Sequence, residues 1–394
     1  MLEIETRNSA RPGAPRQAGQ TGKEMPAPQE SAVRALEPAD IPAVANQFQR
    51  IFRDPRKQAP DSLRAYLADL FLHHHWREPD LASRVYIDAQ GQVGGFIGVL
   101  PLRLLFNARP VRAAVAGSLM VDNRAENPLA GARLLRSFLA GPQDLSITES
   151  ANRLSMGMWE RLGHEPEVAY SMDWLRVLRP AGFAVAALGH WLRPARVLAP
   201  VASLADNIGN RMGRNALRPD FRTRGHADDR EVGDEELIEH IPHFAEQYSL
   251  RPDWDEAALR WFLEHADRKE RYGEISRRMV YGRGGAPLGF YIYHKRARDV
   301  GRVLQIMARP DAAGRVVESL LNHAYANGCV ALRGRSHPQI TGILMRRKSL
   351  FYCLSSTVVH SKNRDLLAPI RSGDALITGL AGEAWTRIIG GEFT

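Results

Sequence analysis

The stretch VAGSLMVDNRAENPLAGARLLRSFL, Val115 to Leu139, changes character twice along its length. Val115 to Val121 is apolar and partly β-branched, which suits a buried strand. Asp122 to Asn127 is polar and suits a loop. Pro128 suits a first helical turn, where its missing N–H costs nothing. Leu129, Leu134, Leu135, Phe138 and Leu139 then recur at helical spacing. A helix that starts just after a strand leaves its first backbone N–H groups unpaired. Such an end favours an anion by roughly 0.3–1 kcal/mol before any side chain helps.

The next segment reads as another strand, Asp144 to Glu149, followed by Asn152-Arg-Leu-Ser-Met-Gly-Met-Trp159-Glu160-Arg161-Leu162-Gly163-His164. The joint spacing of the two segments resembles the GNAT acyltransferase superfamily. That family has a strand, a glycine-containing loop and a helix with a Leu-Leu pair. After the next strand it has an Asn, a short helix and Tyr-Glu-Lys-Leu-Gly-Phe. Gly131, Leu134-Leu135, Asn152 and Glu160-Arg161-Leu162-Gly163 fit. Leu129 stands at the first glycine, Glu126 at the usual basic position, Trp159 at the Tyr and His164 at the Phe.

The resemblance implies an acyl thioester donor, acyl-CoA as co-substrate with no permanently bound cofactor, and an amine acceptor. It implies that backbone at Met120 and Val121 polarises the thioester carbonyl. Amides from Asn127, Leu129, Ala130, Gly131 and Ala132 would gather around the diphosphate, Asn152 would hold the pantetheine arm, and Trp159, at the family's Tyr position, would belong to the same donor site. Trp159 cannot replace a phenol as acid, since an indole N–H only donates a hydrogen bond. Tyr170 and Tyr352 are the alternative acids. Asp122 and Glu149, at strand ends, are the expected bases, and both also read as ordinary loop and strand-end carboxylates.

Working outward, residues 1–33 are rich in Pro, Gly, Ala, Gln and Ser and read as a disordered tail. Residues 34–178 hold two helices, three strands (84–88, 93–105, 111–121), then the loop, helix, strand, helix and a last strand at 174–178. Residues 179–228 form an Arg-rich helical linker, which fits either an interdomain connector or a segment lying on an anionic membrane or acyl carrier. Residues 229–394 repeat the order of elements, with the loop Arg309-Pro-Asp-Ala-Ala-Gly314 holding one glycine. The expected fold is therefore α+β: two tandem GNAT-like domains, each with a mixed, mostly antiparallel central sheet flanked by helices. Arg371-Ser-Gly-Asp374 and Gly382-Glu383-Ala-Trp385 put carboxylates beside glycine turns, facing a groove between the halves or simply forming turns.

The 394 residues carry a net charge of +9, which favours an acidic partner such as a nucleotide cofactor, an acyl carrier protein, RNA or an anionic membrane. Cys329 and Cys353 make neither a disulfide framework nor a metal cluster, so a reducing, cytoplasmic compartment is expected, at most peripheral to the inner membrane. His73-His74-His75 points three ways on a helix and cannot converge on one ion. Phosphate-loop, nucleophile-elbow and Cys-x-x-Cys patterns are missing from the sequence, which removes support for nucleotide hydrolysis, serine hydrolase and zinc-site chemistry. The leading expectation is an N-acyltransferase. A Fem-type transferase using aminoacyl-tRNA shares the doubling and suits the charge. A non-catalytic binding protein of an envelope or polysaccharide system suits the departures at Glu126, Leu129 and Trp159.

Overall fold

The computed structural model describes residues 31–122, 124–191 and 228–394. Residues 1–30 of the expected tail and 192–227 of the expected Arg-rich linker lie outside these residues; Ala32 and Val33, read above as tail, begin a strand instead, because they pair with Ile87 and Tyr86.

Two seven-stranded sheets organise the chain. Sheet one runs β1 (Ala32–Ala35), β2 (Arg84–Ile87), β3 (Val93–Phe106), β4 (Arg109–Val121), β5 (Leu145–Ala151) and then β14 (Ser356–His360), with β8 (Leu250–Pro252) beside the end of β3. Sheet two runs β13 (Leu350–Tyr352), β6 (Asp173–Val177), β12 (Ala331–Arg335), β11 (Val300–Ala308), β10 (Pro287–Lys295), β9 (Glu274–Tyr281) and β7 (Asp228–Glu231). Each sheet is antiparallel except for one parallel pair, β4–β5 in the first and β11–β12 in the second. This is the expected mixed α+β architecture in two copies.

The copies trade strands. The strand expected to finish the first half, β6, pairs antiparallel with β12 and β13 in sheet two. The strand expected near the end of the second half, β14, pairs antiparallel with β5 in sheet one. Sequence order assigned each strand to its own half; pairing across the halves makes β14 an edge of sheet one and sets β6 inside sheet two, between β12 and β13.

The helices cover the sheets. In sequence they are α1 (Ile41–Phe48), α2 (Asp61–Leu72), α3 (Ala130–Leu139), α4 (Arg153–Arg161), α5 (Val168–Ser171), α6 (Pro180–Trp191), α7 (Asp234–Ala245), α8 (Glu256–Asp267), α9 (Ala313–Ala326), α10 (Pro338–Arg346) and α11 (Leu367–Ser372). The apolar stripe of α3 buries Leu134, Leu135 and Phe138. Gly131 lets α3 approach α4, since a Cβ there would come within 3.0 Å of Met158 Sδ. Asn152 starts α4 by accepting from the amides of Leu154 and Ser155 at 3.1 and 3.0 Å. One continuous core joins the halves: Phe48, Phe71 and Phe96 belong to the same buried cluster as Phe262, Phe290 and Trp385. Trp385 stacks on Phe262 with ring centroids 4.5 Å apart. The three histidines read above as lying on a helix follow its end, since α2 stops at Leu72 with His73 as its cap. His74 is buried, accepts from the Trp76 amide at 3.0 Å and packs edge-on to Trp261. Burial holds its imidazole down at about 3, so it is neutral.

Candidate active site

The parallel register between β4 and β5 lasts only from Ala113–Leu145 to Val115–Ile147. Beyond it β4 stays with β3 and β5 stays with β14, so the two strands part. A register shift between Phe96 and Gly98 marks a bulge opposite, and Ser118 there takes φ 53°, the left-handed region. Into the opening between the strands falls a cavity of about 370 Å³. Gly117, Ser118, Thr148 and Ser150 line its strand walls, and Leu135 and Trp159 lie on the helix side. Phe48, Phe52 and Arg53 close it from one direction. Residues from the far end of the chain, Tyr272, Glu383 and Ile389 among them, close it from another.

Glu383 is the chemically distinctive group in this cavity. It is buried, its Oε1 has no hydrogen-bond partner among the described residues, and it lies against the Cα of Gly117 so closely that a Cβ there would collide with Oε2. Burial is the main cause that pushes its carboxyl up to about 7, with Glu149 adding repulsion; Ser150, Arg335 and Lys269 pull the other way. A carboxylate at that value exchanges its proton near neutrality, as a general base requires. Lys269, also buried, is pushed down to about 7 by desolvation and donates to the carbonyls of Ala384, Thr386 and Ile389. It thereby pins the segment that carries Glu383.

The residues singled out in the sequence divide around this cavity. Asn152 and Trp159 line it. The Asn152 carboxamide oxygen is engaged as the α4 cap, and Trp159 is fully buried with its ring 5.7 Å from His164. Met120 and Val121 lie at the end of β4, Met120 buried and in register with Phe96, outside the lining. Asn127, Leu129, Ala130, Gly131 and Ala132 form the uncapped start of α3, also outside the lining. Leu129 is 61 % exposed, so it does not plug the cavity in place of the missing glycine. Asp122 pairs with Arg50 at the surface end of β4. Tyr170 is buried with its hydroxyl donating to the Ala375 carbonyl at 2.9 Å, and burial pushes its pKa up.

Glu149 lines a neighbouring cavity, and its carboxylate is caged. It accepts from the amides of Gly379 at 3.2 Å and Glu383 at 2.8 Å. Burial raises its pKa. Its evident work is to anchor the turn that aims Glu383. The sequence marked the glycine turn at Gly382-Glu383, but no local spacing connects that turn to β4 or β5.

No protein-family model and no curated protein sequence matches the chain. Solved structures do. A probable N-acyltransferase from Enterococcus faecalis V583, described as a conserved protein of unknown function, superposes with a TM-score of 0.55 at 9 % identity, over 84 % of this chain and 72 % of that one. A GCN5-related N-acetyltransferase from Anabaena variabilis gives 0.54 at 11 % identity, over 85 % and 73 %. A GCN5-related N-acetyltransferase from Kribbella flavida gives 0.50 at 14 % identity, over 84 % and 71 %. This is a tandem GNAT-like fold. At these identities the likeness speaks for the architecture alone. Among the described residues no group of His, Cys, Asp and Glu could hold a metal, and no helix is long and apolar enough to cross a membrane.

Proposed function

We propose that the chain is an N-acyltransferase, taking an acyl group from a thioester and passing it to an amine in the opening between β4 and β5. The observation that carries this reading is the unpartnered, buried carboxylate oxygen of Glu383 in that opening. An orphaned buried acceptor costs about 1–3 kcal/mol, and such costs concentrate where a ligand completes the hydrogen bonding.

In the reaction Glu383 takes a proton from the acceptor ammonium. The freed nitrogen attacks the thioester carbonyl carbon, the C–N bond forms, and the oxyanion meets backbone N–H at the bulge around Ser118. As the C–S bond breaks, the thiolate takes a proton from a phenol, the second proton leaving the nitrogen restores that phenol, and Glu383 releases the proton it took to solvent, so one proton is freed per turnover. Tyr272, whose ring lines the cavity, is that phenol. Acyl-CoA is the proposed donor, with its diphosphate at the uncapped start of α3. An acyl carrier protein would present the same thioester.

Isothermal titration with acetyl-CoA and longer acyl-CoAs, followed by a thiol-release assay over a panel of amines, tests this. Micromolar donor binding and turnover are expected. Glu383→Gln is expected to keep the donor Kd and lower kcat by about 10²–10⁴. In the wild type kcat/KM should rise with pH through about 7, as the base loses its proton. No binding of any thioester below millimolar overturns the assignment, and a loss under tenfold in Glu383→Gln removes the base.

A further inference from the structure

The second sheet repeats the opening of the first. β11 and β12 run parallel only from Val300–Ala331 to Arg302–Arg333 and then separate. A second cavity of about 370 Å³ lies there. It borrows Glu149 and Ser150 from β5, and it shares Ser150, Tyr272, Glu383 and Ile389 with the first cavity. The two openings therefore meet at Glu383.

At the point where the strands separate, Arg302 and Arg333 are register partners, and both line the cavity. Like charges facing each other across neighbouring strands oppose pairing unless something neutralises them. Arg335, two residues along, has its neutralisation: it reaches Asp173 at 3.4 Å and the carbonyls of Glu149 and Ser355 at 2.6 and 3.1 Å. Neither Arg302 nor Arg333 forms an ion pair or hydrogen bond of its side chain among the described residues. The Arg302 guanidinium sits 4.9 Å from the centre of the Tyr272 ring, which orients it without neutralising it. Desolvation, and then Arg333, hold the Arg302 pKa below the usual arginine value, with Asp299 acting the other way. Glu149, Asp173 and Glu383 also line the cavity, but among the described residues none of them forms an ion pair with Arg302 or Arg333.

We propose that this second cavity is the acceptor subsite and that Arg302 and Arg333 bind an anionic group, a carboxylate or a phosphate, on the same molecule whose amine reaches Glu383. The inference rests on the acyl-transfer reading and names its substrate class: an amine that is also an anion. Paired guanidinium groups suit either oxyanion through bidentate hydrogen bonds. The shared wall at Ser150, Tyr272 and Glu383 gives one small molecule access to both the charge pair and the base.

The test compares acceptors that differ only in the anion: phenylalanine against phenylalaninamide, and O-phosphoethanolamine against ethanolamine. With acetyl-CoA as donor, kcat/KM for the anionic member is expected to exceed its neutral partner by about ten- to a hundredfold, the scale of a hydrogen bond to a charged group. The carboxylate and phosphate arms show which oxyanion the cavity takes. Arg302→Gln/Arg333→Gln should abolish that preference while the acetyl-CoA Kd stays unchanged. Arg302→Lys/Arg333→Lys, which keeps the charge, should retain part of it. Circular dichroism checks that each variant folds. Equal rates for charged and neutral acceptors, or a preference that survives the double Gln variant, overturns the subsite. If no acceptor is acylated, the transfer reading fails on its own. Isothermal titration of wild type and double Gln variant with phenylalanine and O-phosphoethanolamine then decides the anion site: binding lost in the variant supports it, and no binding to wild type sinks it.

Discussion

Glu383 shows what a buried carboxylate does to stability. Its ordinary pKa of 4.5 rises to about 7 in the folded chain. Between those values the folded state holds a proton that the unfolded state has released. The stabilisation from this group is complete below 4.5 and is lost as pH rises through about 7. Gln cannot ionise and escapes that loss. Glu383→Gln should therefore melt higher than wild type at pH 8, by up to about 3 kcal/mol, with the gap closing towards pH 5. Thermal melts across that range check it, and a gap independent of pH would mean that burial does not set the pKa. The sequence put Asp122 just past one strand and Glu149 at the end of the next, which in fact continues to Ala151. It did not show that the Gly379 and Glu383 amides occupy Glu149, or that Arg50 holds Asp122, because both partners are distant in the chain.

At the scale of elements, the opening between β4 and β5 depends on two small residues. Gly117 leaves room for the Glu383 carboxylate, and Ser118 turns the strand. Gly117→Ala should push Glu383 aside and cut kcat at least about tenfold, since a carboxylate moved out of hydrogen-bond reach loses most of its value as a base. Donor titration and melting temperature should move little, which separates this outcome from misfolding. Ser118→Val puts a β-branched residue at positive φ and should cost about 1–2 kcal/mol, measured by denaturant unfolding, whereas Ser118→Gly should be tolerated. Most of these elements were legible in the sequence. The strands read at 84–88, 93–105 and 111–121 are β2, β3 and β4, because alternation, β-branching and turn residues agree over their length. The strands β8 and β13 were not read, since three residues carry too little pattern to stand out.

The whole molecule is held together by the exchange of β6 and β14. Periodicity told that these segments are strands but not which sheet receives them, because pairing partners are a long-range choice. The exchange predicts that the halves do not fold apart. Residues 1–191 alone lack β14 and β8 and have no sheet for β6. They should show no cooperative transition by calorimetry, whereas co-expression with residues 192–394 should restore a single one. Cooperative melting of 1–191 by itself would show that the exchanged strands are dispensable.

The same exchange constrains how the chain is made. Ribosomes add about 5–20 residues per second, so β5 emerges about ten to forty seconds before the strand that covers it. During that interval the nascent protein presents a bare strand edge, the kind of surface that recruits other chains. A stop codon anywhere upstream of residue 356 would make that exposure permanent, so even a late truncation that spares every residue of the first half should yield an aggregating product.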